Sequence, residues 1–149
     1  MSRQAIGNVL ASVYQEMLQS MEEVRKCLDI AARVTNALPY CTDLRRPKYR
    51  NHPNLLRGHC YIAAEAVYHL ALHEGIHLKP MFVRYNDEPH WFLVHRSYTK
   101  DPAEAAIDPT AGQWMFLRSE DYGKARGKGF LTKQPSKRAA ELMRRMEEA

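Results

Sequence analysis

The spacing of apolar residues changes near Gly75, and this change limits the fold of the chain more than any other feature. Before Gly75, apolar residues mostly recur every three or four positions, which is the period of amphipathic helices. After it, the segments 77–86 and 90–96 are short and rich in Val, Phe, Tyr and Trp, a composition that favours strands. The turn-forming residues from Asn86 to Pro89 join them into an antiparallel hairpin. Helices followed by a meander of strands predict an α+β domain.

The N-terminal segment from Gln4 to about Leu38 carries one apolar stripe. Its members are Ile6, Val9, Leu10, Val13, Met17, Met21, Val24, Leu28, Ala31, Val34 and Leu38. This spacing predicts one long amphipathic helix, or two. The stripe must cover either the rest of the domain or the same helix of a second subunit. A homodimer through this helix is therefore one of two possibilities that the sequence leaves open.

At 149 residues, the chain is expected to form a single domain over 1–149, with N-terminal helices packed on a small antiparallel sheet. The helical segment 1–38 is followed by Pro-, Asn- and Arg-rich residues up to Arg57, which predict a long ordered loop. A second helix then begins near Cys60 and ends at Gly75. Further short strands are predicted at 105–108 and 113–117. A C-terminal helix, capped by Ser136, is predicted over 135–149.

Composition and charge narrow the functional classes. The three cysteines are an odd number without CxxC pairs, so we expect reduced thiols in a cytoplasmic protein. The N-terminus lacks a signal-peptide pattern, and no apolar run approaches the roughly 18 residues that span a bilayer, so no membrane partner is expected. The net charge of +5 is spread along the chain among 17 acidic residues. Nucleic-acid binding is therefore possible but not favoured, and no cofactor is predicted.

Three residues suggest nucleophilic catalysis. Cys60 lies in the first turn of the second predicted helix, where free amides and the helix dipole favour a thiolate. The same amides can stabilise an oxyanion. His90 opens the second hairpin strand and Asp108 closes the next, so paired strands can hold them together as a base and the carboxylate that orients it. Cys27 and Cys41 are expected to be ordinary core residues.

The segments RGHCYIAAEA, HWFLVH and AIDPT contain the cysteine, the histidine and the aspartate in that order. Over about residues 55–117 they resemble the transglutaminase-like branch of the papain-like cysteine hydrolase superfamily. Trp91 after the histidine and Pro-Thr after the aspartate are the most specific details. The resemblance implies a papain-like core, with 55–117 as the catalytic core and Cys60, His90 and Asp108 as its triad.

The chain is also similar to small proteins of tailed phages. The shared segments are GHCYIAAEAVYH, DPT and GFLTKQPSKRA. If the protein is encoded by a phage, this similarity places it in the host cytoplasm.

Four further residues are candidates for substrate binding: His59, Trp91, Trp114 and Asn54. His59 could line the pocket or cap the helix, and the two tryptophans could line an acyl-binding groove. In the superfamily that the chain resembles, a second oxyanion donor is often an upstream amide side chain. Asn51 and Asn54 are therefore both candidates for that role.

Two main functions remain open at this stage. The first is a thiol hydrolase or acyltransferase that forms an acyl-enzyme from an amide, peptide or isopeptide bond in a protein or peptide substrate. Hydrolysis is favoured over amine transfer because the chain is short. The second is a non-catalytic basic module on the same fold that binds nucleic acid or a partner protein. Zinc binding by Cys60, His90 and Asp108 is a chemical alternative, but no local motif such as HExxH supports it, and no metal site is predicted.

Overall fold

The computed structural model of the protein describes residues 2–97, 102–113 and 117–148. Its helices are α1 (Arg3–Ala37), α2 (Cys60–His73), α3 (Ser119–Gly123) and α4 (Lys137–Glu148), and its strands are β1 (Leu78–Tyr85), β2 (Glu88–His95) and β3 (Arg126–Gly127). Helix α2 packs on β1 and β2, while α1 packs mainly on α2. The predicted α+β class is confirmed.

Helix α1 is one continuous helix of 35 residues. The side chain of Ser2 caps it by accepting a hydrogen bond of 3.1 Å from the amide of Ala5. Its buried residues all lie in the C-terminal part of the helix, from Cys27 to Val34. At this end, the Thr35 hydroxyl donates a hydrogen bond of 2.6 Å to the carbonyl of Pro109. The C-terminal part of α1 therefore belongs to the domain, whereas the N-terminal part is exposed.

The segment between α1 and α2 is the predicted ordered loop, built from three short 3₁₀ turns. Arg45 is only 2% exposed and holds the loop from inside. One of its guanidinium nitrogens, Nη1, donates to the carbonyls of His52, Asn54 and Arg57 at 3.2, 3.0 and 3.3 Å. Three carbonyls of the loop are thus satisfied by one buried cation.

Gly58 ends this loop in a conformation that requires glycine. Its φ is +86°, and a Cβ at this position would lie 2.6 Å from the side chain of Tyr49. Two residues later, Cys60 is the first residue of α2. The tight turn at Gly58 therefore determines where the nucleophile candidate enters the helix.

The predicted antiparallel hairpin is present, with Leu78 opposite His95 and Tyr85 opposite Glu88. Glu88 and Pro89, which were predicted in the turn, instead begin β2, so His90 is its third residue. Asn86 and Asp87 form the connection with φ values of 52° and 62°. Two consecutive residues with positive φ match the twist of a two-residue hairpin turn. The prediction that Gly75 ends α2 is also confirmed, because that glycine has a φ of +76° just after the helix.

The other predicted strands differ from the structure. Residues 105–108 form only an isolated bridge, in which Ile107 and Leu93 exchange hydrogen bonds of 3.0 and 2.7 Å. Pro109 follows directly and donates no amide to a ladder, so the pairing stops there. Of the predicted strand 113–117, Gln113 lies in a 3₁₀ turn and residues 114–116 lie outside the described part of the chain. The third strand of the sheet is β3, on the other edge of β1.

A buried carboxylate on α2 anchors α4. Glu65 is 0% exposed, and its two oxygens accept hydrogen bonds from the amide and the hydroxyl of Ser136 at 2.8 and 2.7 Å. The Ser136 hydroxyl oxygen in turn accepts from the amide of Ala139 at 3.2 Å, which confirms the predicted cap. Helix α4 is therefore fixed to the same helix that begins with Cys60.

Candidate active site

Cys60 lies at the N-terminus of α2, as predicted, and is partly buried. The first intrahelical bond runs from the Ala63 amide to the His59 carbonyl at 2.9 Å, so the amides of Cys60, Tyr61 and Ile62 precede it. Its sulfur lies 3.7 Å from the carbonyl oxygen of Pro89, to which the thiol donates. The thiol thus points from the start of the helix toward the start of strand β2.

The imidazole of His90 and the carboxylate of Asp108 form a close buried pair. Nε2 of His90 lies 2.6 Å from Oδ2 of Asp108, and the two side chains are 0% and 4% exposed. The bridge between Leu93 and Ile107 produces this contact, because it holds residue 108 beside strand β2. Asp108 is thus positioned to orient the ring, as in a catalytic triad.

The ring of His90 also interacts with the side chain of Cys60. Burial by itself would lower the pKa of His90, but the hydrogen bonds to Asp108 and Cys60, and the charges of both groups, raise it to about 9. His90 is thus a strong proton acceptor for the thiol. The structure brings together the three residues that the sequence singled out.

The carboxylate of Asp108 is held by three further donors. Its Oδ1 accepts from the amide and the hydroxyl of Thr110 at 3.0 and 3.4 Å. Its Oδ2 accepts from the hydroxyl of Tyr122 at 2.7 Å as well as from His90. Burial and the charge of Asp108 raise the pKa of Tyr122, so its hydroxyl remains a donor. These bonds stabilise the ionised carboxylate and fix its orientation.

Gln113 contacts the other nitrogen of the His90 ring. Its side-chain nitrogen lies 2.9 Å from Nδ1 of His90 and 3.0 Å from the hydroxyl oxygen of Thr110, and the residue is 5% exposed. When the ring is neutral with its proton on Nε2, Nδ1 accepts from this amide. Gln113 therefore holds Nδ1 of the ring directly. Through Thr110 it also supports Asp108, which holds Nε2 on the other side of the ring.

A narrow cleft opens beside the sulfur of Cys60. Its lining residues come from the loop, from α2, from β2, from the 3₁₀ turn that ends at Gln113 and from α4. They are Arg46, Tyr49, Gly58, Cys60, Tyr61, Ile62, Glu88, Pro89, Trp91, Gln113 and Arg138. The room left for groups the size of a water molecule is about 30 Å³. A slender group such as an extended backbone or side-chain amide fits such an opening better than a bulky ring does.

The candidates for substrate binding have different positions. Trp91 lines the cleft and packs edge-on against Tyr61 with a centroid distance of 5.0 Å. Asn54 instead donates to the Gly112 carbonyl at 3.1 Å and accepts from the Leu56 amide at 3.0 Å, so it holds the loop. Asn51 is exposed and is not among the residues that line the cleft. Trp114 lies outside the described residues.

His59 is fully buried rather than part of the cleft lining. Neither ring nitrogen has a hydrogen-bond partner among the described residues, and the side chain does not cap α2. Burial, followed by the charges of Arg45 and Arg138, lowers the pKa of His59 to about 4, so the ring is neutral at pH 7. It lies behind the nucleophile candidate as a buried neutral side chain.

Two site residues had not been singled out from the sequence. Gln113 lies three residues after Thr110, and this proximity to the DPT segment was its one available signal. Tyr122 lies 14 residues after Asp108, in a segment with no recognisable motif. Both reach the site through tertiary contacts, which explains why local patterns did not reveal them.

Metal binding has no support in the geometry. In the part of the chain that the structure describes, no group of three or more His, Cys, Asp or Glu side chains is placed to hold a metal ion. Nε2 of His90 contacts Asp108 at 2.6 Å, and Nδ1 contacts Gln113 at 2.9 Å. Both ring nitrogens are thus engaged in hydrogen bonds with the protein instead of facing a metal position.

Comparisons with known proteins give no further identification. No protein-family model, curated protein or solved structure matches the chain. Within the described ranges, no helix is both long enough and apolar enough to cross a lipid bilayer.

Proposed function

We propose that this protein is a cysteine-dependent hydrolase or acyltransferase that acts on an amide, peptide or isopeptide bond, with a papain-like core of the transglutaminase-like branch. The observation that carries the proposal is the buried pair of His90 and Asp108, 2.6 Å apart, whose imidazole interacts with the Cys60 side chain at the start of α2. This arrangement of nucleophile, base and orienting carboxylate defines a triad by role. The three residues also follow the chain order of the family that the sequence resembles.

In the first half of the reaction, His90 takes the thiol proton of Cys60, and the sulfur attacks the substrate carbonyl carbon. The carbonyl oxygen becomes an oxyanion, which the amides at the start of α2 are placed to stabilise. The imidazolium then gives its proton to the departing amine, and the carbon–nitrogen bond breaks. The product is a thioester between Cys60 and the acyl group.

In the second half, His90 takes a proton from water, and the resulting hydroxide attacks the thioester. The carbon–sulfur bond breaks, the acid product leaves, and the proton returns to the sulfur. An amine in place of water would give acyl transfer.

The raised pKa of His90 supports this mechanism at neutral pH. A ring that stays protonated to about pH 9 can hold the proton of Cys60 as an imidazolium beside a thiolate. Asp108, with its four hydrogen bonds, provides the negative charge that stabilises that imidazolium.

The pH dependence of Cys60 alkylation by iodoacetamide tests the proposal. The rate is followed by mass spectrometry of the peptide that contains Cys60, in wild type, His90→Ala and His90→Gln. The exposed His77→Ala serves as a matched control. We expect rapid alkylation well below pH 8 in wild type and in the control, and loss of that reactivity in both His90 variants. Rates that follow an ordinary thiol, with a pKa of about 8.5, in every protein would refute the proposed chemistry.

A further inference from the structure

The cleft is lined by more basic than acidic side chains. The acidic lining residue is Glu88, and its carboxylate forms an ion pair of 2.6 Å with Arg57. Arg46 and Arg138 line the same cleft, and neither forms an ion pair with any residue of the described ranges. The opening beside Cys60 therefore carries an excess of positive charge.

The two arginines differ in how they are held. Nη1 of Arg138 donates to the Leu44 carbonyl at 2.9 Å, which fixes the guanidinium while leaving it further N–H groups. Arg46 is exposed at the rim, on the loop between α1 and α2. A fixed and an adjustable guanidinium at one opening are suited to hold a carboxylate, the planar anion that arginine binds best in a protein.

We propose that the site prefers acyl substrates with a carboxylate next to the bond that is cleaved, as in a peptide with an acidic residue beside the scissile bond. The cleavage rests on the proposed function, but the charge preference rests on the cleft alone. Positive charge at the opening raises the local concentration of an anionic substrate and orients it toward Cys60.

Two alkylating reagents separate the charge preference from the catalytic chemistry. Iodoacetate and iodoacetamide react by the same mechanism, in which the Cys60 thiolate displaces iodide and forms a thioether. Only iodoacetate carries a carboxylate. The ratio of their rates at Cys60 is measured in wild type, Arg46→Glu and the exposed control Arg33→Glu, which changes the net charge equally.

We expect the iodoacetate to iodoacetamide ratio to fall about five- to tenfold in Arg46→Glu, because the charge at the opening changes by two units. The ratio should stay unchanged in Arg33→Glu, and the difference should shrink at 1 M salt. An unchanged ratio in Arg46→Glu would overturn the inference. The proposed chemistry is judged separately, from the pH profile with iodoacetamide alone, so one proposal can fail without the other.

A second inference comes from α1, which is independent of the cleft. Its N-terminal part exposes large apolar side chains whose exposed fractions lie between 45% and 64%: Ile6, Val9, Leu10, Val13, Tyr14, Met17 and Met21. Their exposed surface is on the order of 700 Å² per chain, close to one partner's share of a standard protein interface. An apolar face of this size on a helix marks an interaction site.

The exposed face continues into the core of the domain. Positions three and four residues apart, apolar except for Ser20, run along the helix to Cys27, which is fully buried. They are Leu10, Val13, Met17, Ser20, Val24 and Cys27. This is the heptad spacing of helices that pack side by side. From Cys27 onward the stripe is buried within the domain, so a partner helix can contact it only as far as about Val24.

We infer that a second copy of α1 covers this face in an antiparallel arrangement. In a parallel dimer, each helix would meet the body of the other domain at the point where both stripes become buried. In an antiparallel dimer, the N-terminus of each helix lies near the point where the exposed stripe of the other helix ends, with Ile6 opposite Val24. Over the overlap that this register gives, residues 3–27, each helix carries three acidic and three basic residues, so two copies have no net charge with which to repel each other. These residues are Glu16, Glu22, Glu23, Arg3, Arg25 and Lys26. A groove of about 450 Å³ lined by Met21, Val24 and Leu28 lies where the partner helix would begin.

Sedimentation velocity over a range of concentrations tests the dimer. We expect wild type and Gln15→Glu, on the opposite side of the helix, to be dimers, and Val13→Glu to be a monomer with unchanged helix content by circular dichroism. A monomeric wild type, or an unaffected Val13→Glu, would overturn the inference.

Disulfide cross-linking tests the orientation. In a Cys60→Ser background, the double variant Val13→Cys/Met17→Cys should form a covalent dimer on oxidation, because residue 13 of one copy faces residue 17 of the other. Val13→Cys alone should not, and efficient cross-linking of that single variant would overturn the antiparallel arrangement.

Discussion

The hydroxyl of Tyr122 donates a hydrogen bond of 2.7 Å to Oδ2 of Asp108, the same oxygen that contacts His90 at 2.6 Å. One carboxylate oxygen thus accepts from two side chains that come from different parts of the chain. The tyrosine stabilises the charge on Asp108 and limits the directions in which that oxygen can face the imidazole. It acts on the nucleophile only through those two residues, so it is a positioning residue.

Tyr122→Phe should lower the alkylation rate of Cys60 at pH 7 by about threefold or more, because a less well fixed Asp108 orients His90 less firmly. The free energy of unfolding should fall by about 1–2 kcal/mol, since a hydrogen bond to a charged group is lost. Urea unfolding and iodoacetamide kinetics measure the two effects. Tyr40→Phe, at a residue 86% exposed, is the control and should change neither.

Gln113→Ala should weaken the coupling between Cys60 and His90 while leaving the three triad residues intact. The amide of Gln113 fixes the ring through Nδ1, so its removal lets the imidazole tilt within its pocket. We expect the pH at which Cys60 reactivity reaches half its maximum to rise toward that of an ordinary thiol. A uniform fall in rate at all pH values, without a shift of the profile, would contradict a role in positioning the ring.

The raised pKa of His90 predicts how stability depends on pH. The ring has an ordinary pKa of 6.5 in the unfolded chain and about 9 in the folded protein, so folding favours its protonated form. This contribution is complete below pH 6.5 and is lost as pH rises through 9. At 1.36 kcal/mol per pKa unit it amounts to an upper value on the order of 3 kcal/mol. Urea unfolding between pH 6 and 10 should show this loss in wild type and not in His90→Gln.

Gly58→Ala should be more destabilising than Gly75→Ala, although both glycines have a positive φ. A Cβ at Gly58 would lie 2.6 Å from Tyr49, whereas at Gly75 none of the neighbouring heavy atoms lies within 4 Å. We expect a cost of about 1–2 kcal/mol at Gly75, for the left-handed backbone alone, and about 1–3 kcal/mol more at Gly58, for the clash. Thermal unfolding measures both.

The Gly58 variant should also react more slowly with iodoacetamide, because Cys60 is displaced. Equal destabilisation of the two variants would be evidence against a tight turn.

Much of the fold could be predicted because its signals are local. The spacing along α1, the glycine that ends α2 and the turn at Asn86–Asp87 each depend on residues within a few positions of one another. The sequence left the number of N-terminal helices open, since apolar spacing alone does not reveal a break. The strand predicted at 105–108 became a single bridge because Pro109 interrupts the ladder, whereas β3, with only two residues, has no periodicity to detect.

The three central residues of the site could be predicted from the sequence, whereas the residues that hold them in position could not. Cys60 was predicted from its place at the start of a helix, and His90 and Asp108 from the short segments HWFLVH and AIDPT that contain them. Gln113 and Tyr122 become adjacent to them only after the chain has folded, and no spacing rule connects them in advance. The burial of Arg45, which appeared to be one arginine among several in a polar loop, is equally a product of tertiary structure.

The bond between Glu65 and Ser136 has a consequence for how this sequence can vary. Both oxygens of a fully buried carboxylate are filled by one residue, and that residue also caps α4. A change at position 136 alone would keep the amide bond to one oxygen of Glu65 but leave the other buried oxygen without the hydroxyl, and a change at position 65 alone would leave the cap without its anchor. Homologous chains should therefore keep both residues or replace both together, so the two positions should covary across 71 residues of sequence.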